Sequence, residues 1–452
     1  MSSPIAAFRA WRGRRVWHRD PDRALDLLTA AQRSLDGDGL GILAWLALRE
    51  RRDPARAEQL ARDALARGGD TRFASAALAE VLARRGDHDG AIEVLRAASA
   101  TNPDVRWYAL TLADALEAAG RTDEAEALME ESLADPELHR HAIKRLSRIA
   151  LARGDRKQAR ARFEALVALA PNYLVYASDY ETLGKLQLEV GDREAARSTW
   201  HQGAKTYPRH AGLRALREQH FGETDQLAQP RIAPVSEDQV HARRIPVRTE
   251  FIDARSGLLE VIGPATAGQR RFGDTVAVAE SAAAAGQGRL VPLELIRAGR
   301  LAHALSRFVG KIGPLHSAEG MEGAIMEAGR PRVVVGAIAG GLTRPLGLHG
   351  AFYRVAGEQA AMIDDVAAAL PPHDHHVVFG PHRPDALGAR LASELGCEVA
   401  IVDANHRTGA WVVGASPGVD REWLQRALAD NPAGNEDEQT PVVIVRPTGS
   451  QP

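Results

Sequence analysis

Two carboxylate clusters in the C-terminal half of the chain have the types and spacing of a site for a metal ion and a phosphate. Asp364 and Asp365 follow the apolar residues 361–363, and Asp403 follows the β-branched run 399–402. Two carboxylates from different strand ends are the minimum that could hold Mg²⁺, which prefers oxygen ligands and substrate phosphates. The spacing fits structural roles equally well, with Asp364 capping a helix and Asp403 opening a turn with Asn405.

Two other segments carry groups that bind ions. The run His-Asp-His-His at 373–376 offers imidazole and carboxylate ligands, which suit several divalent metals. Adjacent residues of a strand point to opposite faces, so the sequence favours a polar loop entering a strand over a metal site. The glycine-rich run 336–341 follows a predicted strand, and its amides could cradle a phosphate; a close-packed turn is an equal alternative.

Composition limits the classes of protein that the chain can belong to. Its 452 residues are enough for two or three domains, and 45% hydrophobic with 26% charged residues is ordinary for a globular protein. The net charge of −2 gives no electrostatic case for nucleic acid or an anionic membrane. A single cysteine, Cys397, excludes an internal disulfide. We find neither a signal peptide nor a membrane-spanning run, so we expect a cytoplasmic protein without membrane or nucleic-acid partners.

The first half of the chain is an internal repeat over residues 19–222. A small residue recurs at steps of 33 to 37 residues, at Ala24, Ala57, Ala91, Ala125, Ala159 and Ala196. Glycine precedes the last four of these by five residues, and proline recurs one helix later. This period and punctuation resemble the tetratricopeptide repeat, which stacks helix pairs into a solenoid. We therefore predict helical repeats over 1–222 whose concave face binds a protein or peptide partner, with a spacer or a platform for self-association as the alternative.

A linker and a second domain follow the repeats. Residues 223–244 contain prolines and a polar run that predict a linker, and residues 245–452 alternate β-branched with alanine-rich segments. The fold class is therefore an all-α solenoid followed by a mixed α/β domain. The predicted strands are 275–278, 332–335, 376–379, 399–402, 411–413 and 442–445, and the predicted helices lie near 294–308, 318–328, 384–395 and 420–429.

The order of motifs over 245–447 resembles the coenzyme F-420 gamma-glutamyl ligase family. That family has a Gly-Asp strand followed by Gly-Arg, which match residues 273–281 and Gly288-Arg289. Its Pro-Asp helix start matches Pro384-Asp385. Its strand ending in Asp-Thr-x-Gly-Arg matches Asp-Ala-Asn-His-Arg at 403–407.

The resemblance implies a ligase-like domain that uses GTP and Mg²⁺ or Mn²⁺ to add glutamate or a related amino acid to a small-molecule carboxylate. Asp403 would be a metal ligand, with Asp364 and Asp365 beside it. Arg289 and Arg407 would serve catalysis by holding phosphate or the substrate carboxylate, with Gly288 and Arg289 at the nucleotide. The resemblance also implies a homodimer.

The chain departs from the family where phosphate-binding lysines and a threonine are expected, since it has Ser281, Ala285 and Ala404 there. Two hypotheses follow. The chain is an amide-forming ligase whose repeats recruit a partner, or it is a binding or scaffold protein that keeps the ligase fold and acts through its repeats. Fold does not decide between them, because function depends on the site.

Overall fold

The structure is a computed structural model that describes residues 4–50, 53–170, 174–228, 232–308, 315, 317–343, 351–357, 373–405, 409–434 and 438–448. The chain divides into two compact units. Unit 1 contains Met1–Arg145 and Gly288–Gly380, and unit 2 contains Leu146–Gln287 and Pro381–Pro452. The sequence-based boundaries at 1–222, 223–244 and 245–452 stay a prediction.

Helices fill the first half of the chain in consecutive pairs. They are α1 (Pro4–Val16), α2 (Pro21–Ala31), α3 (Gly37–Glu50), α4 (Pro54–Arg67), α5 (Arg72–Arg84), α6 (His88–Thr101), α7 (Tyr108–Ala118), α8 (Thr122–Ser132), α9 (His139–Ala152), α10 (Arg156–Ala168), α11 (Ala177–Glu189), α12 (Arg193–Thr206) and α13 (Ala211–Phe221). The first helix of a pair, odd-numbered from α1 to α11, is called the A helix, and the second, even-numbered, is the B helix. This confirms the helical repeats.

The repeated alanines are the contact points of the B helices. One lies in each B helix from α2 to α12, and every one of the six is buried. A side chain of one carbon lets neighbouring helix backbones approach closely, and a larger one would separate them. The repeat in the sequence is therefore a repeat of helix packing.

A glycine-aspartate pair makes the turn between A and B helices. Gly86, Gly154 and Gly191 have φ of 80°, 76° and 82°, which residues with a Cβ rarely adopt. The aspartate after each glycine caps the B helix, as Asp87 does by accepting a 2.9 Å hydrogen bond from the Gly90 amide. The same pair thus ends one helix and begins the next.

A five-stranded mixed sheet forms the centre of the C-terminal part of unit 2. Its strands are β1 (Ala242–Val247), β2 (Thr275–Ala279), β5 (Glu398–Asn405), β6 (Gly409–Ala415) and β7 (Val442–Pro447), in the order β1-β7-β2-β5-β6. Only β2 and β5 run parallel among these neighbours, and the other pairs are antiparallel. This confirms a mixed sheet after the repeats, with β1 beginning at Ala242.

Helices cover both faces of this sheet. On one face, Val276, Val399 and Ile444 pack against α15 (Leu258–Ala267) and α21 (Pro384–Leu395). On the other, alternate residues of the same strands pack against α14 (Glu237–Val240) and α22 (Arg421–Ala427). Because side chains of a strand alternate between faces, a sheet covered on both sides needs uninterrupted apolar runs, as in 399–402.

A buried aspartate joins three segments of unit 2. The Asp430 carboxylate accepts hydrogen bonds from the Arg244 and Arg209 guanidiniums at 2.5 and 3.1 Å and from the Val235 amide at 2.9 Å. Arg209 precedes α13, whereas Arg244 lies on β1. The contact ties the last repeat to the sheet, at a cost in desolvation that two arginines and an amide offset.

The elements between residues 280 and 378 belong to the second segment of unit 1, apart from α16 (Glu280–Gly286) in unit 2. They are β3 (Leu290–Pro292), a 3₁₀ turn (Leu293–Leu295), α17 (Arg300–Ser306), α18 (Ala318–Ala328), α19 (Arg330–Thr343), α20 (Ala351–Ala356) and β4 (His376–Val378). β3 and β4 pair antiparallel. The predicted helix near 294–308 is thus a 3₁₀ turn and a separate short helix.

The predicted strand at 332–335 is wrong, since these residues are helical in α19. The phosphate loop and the close-packed turn, which were equal alternatives for 336–341, are both wrong, because these residues continue the same helix. Gly336 and Gly340 lie one turn apart and face α20. A Cβ on Gly336 would come within 2.9 Å of the Phe352 carbonyl oxygen. The glycines therefore serve close helix packing, and a short apolar run does not by itself distinguish strand from helix.

Among the residues that the structure describes, no helix is long and apolar enough to cross a bilayer.

The alanine contact gives a direct test of the repeat packing. We expect Ala91→Leu to lower the free energy of unfolding by about 1–3 kcal/mol, because the extra volume must force α6 from its neighbours. Ala97→Leu is the matched control, since Ala97 is an exposed alanine of the same helix and should change stability by about 0.5 kcal/mol or less. Urea unfolding of both variants measures the difference. Equal effects would contradict the packing role of Ala91.

Candidate functional site

Three A helices of unit 1 bind a segment of the chain's own C-terminal half. We call residues 290–295 and 373–378 the ribbon; they contain β3, β4 and the turns beside them. Arg72 of α5 donates a 2.9 Å hydrogen bond from Nη1 to the Glu294 carbonyl oxygen, and Thr111 of α7 donates one of 2.8 Å to the Glu294 carboxyl. Arg145 of α9 donates to Asp374 at 3.2 Å. Each of the three helices thus supplies a polar side chain to one ligand segment.

The repeat places two of these side chains, Thr111 and Arg145, on one face. Thr111 and Arg145 lie 34 residues apart and occupy the same position relative to the turns at Gly120 and Gly154. Equivalent positions of stacked repeats line one side of the array. We call this side of the A helices the A-helix face.

An ionic network in the centre of this contact is buried except at Asp114, whose side chain is 24% exposed. Nη2 of Arg145 lies 3.0 Å from Asp114 Oδ1 and 3.2 Å from Asp374 Oδ1, so that one guanidinium joins two carboxylates. His141 Nδ1 lies 3.4 Å from Asp374 Oδ2, and His375 Nε2 lies 3.7 Å from Asp114 Oδ2. Asp374 has no exposed surface and His375 has 1%. The network therefore replaces all the water around Asp374 with protein partners.

The protonation states follow from this arrangement. Burial alone would raise the pKa of Asp374, but the Arg145 charge and the hydrogen bonds from His141 and His375 together hold it well below the usual value. Burial lowers the pKa of His375 to about 4 despite the neighbouring carboxylate, and it also lowers the pKa of His141. At neutral pH the network contains a charged arginine, ionised Asp374 and two neutral imidazoles, whereas burial raises the pKa of the Asp114 carboxyl to about 8 despite the Arg145 charge.

Glu294 lies beside the network, and the groups around it only partly offset the cost of burying its ionised carboxylate. Burial raises the pKa of its carboxyl to about 7, against the lowering effect of a backbone hydrogen bond, of Thr111 and of Arg72. Burial, with the Glu294 charge as the next cause, also raises the pKa of the Tyr108 hydroxyl. Among the described residues, neither Glu294 Oε2 nor Tyr108 Oη has a hydrogen-bond partner. Glu294 is thus a carboxyl that gains or loses its proton near neutral pH.

A second buried contact of unit 1 contains Arg289. The family resemblance implies that this residue binds nucleotide and serves catalysis. Its Nη1 donates to the His18 carbonyl oxygen at 2.6 Å, its Nε donates to the Gly380 carbonyl oxygen, and its Nη2 lies 3.3 Å from Glu327 Oε1. Burial lowers the pKa of Arg289, and Glu327 opposes that shift. Gly288 precedes it with φ of 73° and is buried. The guanidinium is occupied by protein groups here, and its role toward phosphate stays a prediction.

Asp403, the predicted metal ligand, lies in unit 2. It follows Val402, the last parallel partner of β2, and pairs with Trp411 of β6. Burial raises the pKa of its carboxyl, and a hydrogen bond with Asn405 opposes the shift. Asp364, Asp365 and Arg407 lie outside the described residues. Gly288 and Arg289 lie together because they are consecutive in the chain. The metal site proposed for Asp364, Asp365 and Asp403 stays a prediction.

No group of three histidine, cysteine or acidic side chains among the described residues could hold a metal ion. The run 373–376, a candidate for metal ligation in the sequence, instead contributes Asp374 and His375 to the ionic network.

Comparisons with known proteins agree with the repeats. Residues 82–139 match the family model of the tetratricopeptide repeat, and no curated protein matches the chain in sequence. The chain is 17% identical to PilW, a widely conserved type IV pilus biogenesis factor, over 47% of this chain and 99% of that one, with a TM-score of 0.37. The N-terminal region thus carries tetratricopeptide repeats.

Two further solved structures are similar at the same level. A tetratricopeptide repeat protein from Parabacteroides merdae is 17% identical over 48% of this chain and 86% of that one, with a TM-score of 0.36. YrrB, described as a tetratricopeptide repeat protein with an unusual peptide-binding site, is 17% identical over 42% of this chain and 97% of that one, with a TM-score of 0.33.

The titration of Glu294 yields a prediction with a defined sign. Its pKa is raised in the folded protein, from 4.5 to about 7, so the folded state binds the proton more tightly. The stability that this proton supplies is fully present below pH 4.5 and is lost as pH rises through 7. His375 acts in the opposite direction, because its contribution is present above pH 6.5 and is lost as pH falls to about 4.

We therefore expect Glu294→Gln to become more stable relative to the parent protein as pH rises from 5 to 8, by up to about 3 kcal/mol. Urea unfolding of both proteins at the two pH values isolates this carboxyl, since the other groups are common to both. Glu93→Gln, an exposed glutamate of α6, is the matched control and should follow the parent. A pH-independent difference for Glu294→Gln would contradict the assignment.

Proposed function

We propose that this protein is a docking protein that binds protein partners through the A-helix face of its tetratricopeptide repeats. The observation that supports the proposal is the ribbon, since three consecutive A helices already bind an extended segment through Arg72, Thr111 and Arg145. This contact supports a partner segment of the same kind, a short strand with acidic side chains. Stacked repeats commonly use this surface for partners.

Exposed basic side chains of α9 and α11 fit the same kind of ligand. Asp114 lies six residues before the turn glycine of its repeat, and the corresponding residues of α9 and α11 are Arg148 and Lys185. Both belong to unit 2 and are exposed. The exposed Lys185 ammonium lies 3.6 Å from the Glu181 carboxylate on the same helix. An extended partner segment with acidic side chains would find complementary charge at these positions.

We expect the double variant Arg148→Glu, Lys185→Glu to bind such a partner with an affinity at least about tenfold lower, since each charge reversal replaces attraction with repulsion. Cross-linking in extracts of the source cells, quantified by mass spectrometry, compares the parent with the variant. Arg156→Glu, Lys157→Glu is the matched control, because both residues are exposed on the B helix α10.

The control should retain every partner of the parent protein. A segment of the lost partner, made as a peptide, should then bind the parent chain and not the variant in calorimetry. The same set of cross-linked proteins from all three chains would overturn the proposal.

An amide-forming ligase is the second candidate, and one observation favours it. Asp403 is a half-buried carboxylate at the carboxyl end of a parallel strand pair, which is where α/β sheets bind ligands. In this proposal Asp403, Asp364 and Asp365 hold Mg²⁺ or Mn²⁺, Gly288 and Arg289 lie at GTP, and Arg407 holds a small carboxylate substrate. The ion would neutralise phosphate charge during transfer.

Calorimetric titration of GTP, ATP and Mn²⁺ into the full chain separates the two candidates. As a docking protein without catalysis, the chain should release no heat of binding with any of these ligands. Binding that is present in the parent, absent in Asp403→Ala and retained in Asp238→Ala would instead establish the second candidate. Asp238 is the control because it is an exposed aspartate of the same unit.

A further inference from the structure

Helix α1 presents apolar side chains to solvent along one side. Ile5, Phe8 and Trp11 are spaced three residues apart and are 63%, 54% and 54% exposed. Its opposite side is held by small residues: Ala10 and Gly13 are buried, and a Cβ on Gly13 would come within 2.7 Å of Leu28 Cγ on α2. The helix therefore packs against α2 with one face, while Ile5, Phe8 and Trp11 on the other face remain outside the core.

The same outward side carries positive charge. Arg9, Arg12 and Arg15 lie between the apolar residues, and no acidic residue occurs from residue 4 to residue 19, although the net charge of the chain is −2. The Arg15 guanidinium lies 5.1 Å from the Trp11 ring centroid, and the Phe8 and Trp11 rings stack at 5.9 Å. Arg14, on the side toward the core, pairs with Asp36. We call the side formed by Ile5, Phe8, Trp11 and these three arginines the α1 surface.

We propose that the α1 surface binds the interface of an anionic lipid bilayer. Helices that lie in the plane of a bilayer combine aromatic and aliphatic side chains, which enter the boundary of the acyl chains, with arginines that reach lipid phosphates. The arginine stems cover apolar surface while their guanidiniums extend to the headgroups. This binding requires no span, so it is independent of the length of any helix.

Charge and shape favour a bilayer over other anionic partners. Nucleic acid would use the arginines and the rings but leave Ile5 without a contact. An acidic protein segment would need a groove or a row of hydrogen-bond donors, whereas this helix presents a single convex side. A bilayer uses the aliphatic, aromatic and basic groups together. The inference extends the docking function, because it would place partner binding at a membrane surface, and it does not depend on which partner the repeats bind.

Co-sedimentation of the full chain with vesicles tests the proposal. We expect binding to phosphatidylcholine vesicles that contain about 30% phosphatidylglycerol, at least about tenfold weaker binding to pure phosphatidylcholine, and loss of binding at ~0.5 M NaCl, where charges are screened within a few ångströms. Phe8→Ser with Trp11→Ser, and separately Arg12→Ala with Arg15→Ala, should each reduce binding by about tenfold or more, since one arginine at an anionic surface contributes roughly fivefold.

Two substitutions elsewhere serve as matched controls. Phe272→Ser removes a fully exposed ring, and Arg62→Ala removes an exposed arginine of α4; both should bind vesicles like the parent. Circular dichroism and thermal unfolding must be unchanged in every variant. The proposal is overturned by absence of vesicle binding, by equal binding to neutral vesicles, by α1 variants that bind like the parent, or by binding to a nucleic-acid duplex in place of vesicles.

Discussion

The packing of unit 1 depends on one guanidinium, that of Arg145, which joins a carboxylate of the repeats to a carboxylate of the ribbon. Taking the charged Arg145 and Asp374 out of water costs several kcal/mol per ion, and only short, multiple contacts can offset that cost. The histidines matter because they stay neutral: as imidazolium ions they would add two buried charges. The network is therefore selective more than strongly stabilising, since a segment without an acidic residue at 374 would take from the buried Arg145 one of the two carboxyl groups that it contacts.

The repeats were predictable because their determinants are local. An alanine at each B-helix contact, a glycine with positive φ and a capping aspartate recur at fixed spacing, and each acts within a few residues of its own position. The sheet was largely predictable for the same reason: runs such as 399–402 are apolar on both faces. In these elements the local preferences of the sequence agree with the tertiary packing.

Contacts between distant residues could not be predicted. The valines of 333–335 suit a strand as well as a helix, and only the packing of Gly336 and Gly340 against α20 decides for the helix. The ribbon pairs residues that are more than 80 positions apart in the chain, and no sequence feature near Leu290 predicts Val378 as its strand partner. The run 373–376 suggested a loop or a metal site. The contact of Asp374 and His375 with Arg145 is a property of the tertiary structure alone.

The buried network and the proposed docking surface use the same positions of the repeat. At the position six residues before the turn glycine, Asp114 is paired inside the network, whereas Arg148 and Lys185 are exposed. A side chain that is paired with the chain's own segment is unavailable to a partner unless that segment leaves. Since Arg145 would then remain near Asp114 without Asp374, leaving carries the cost of separating a buried ion pair. It follows that a partner meets the lowest cost at the exposed basic positions, where no internal ligand must first be removed.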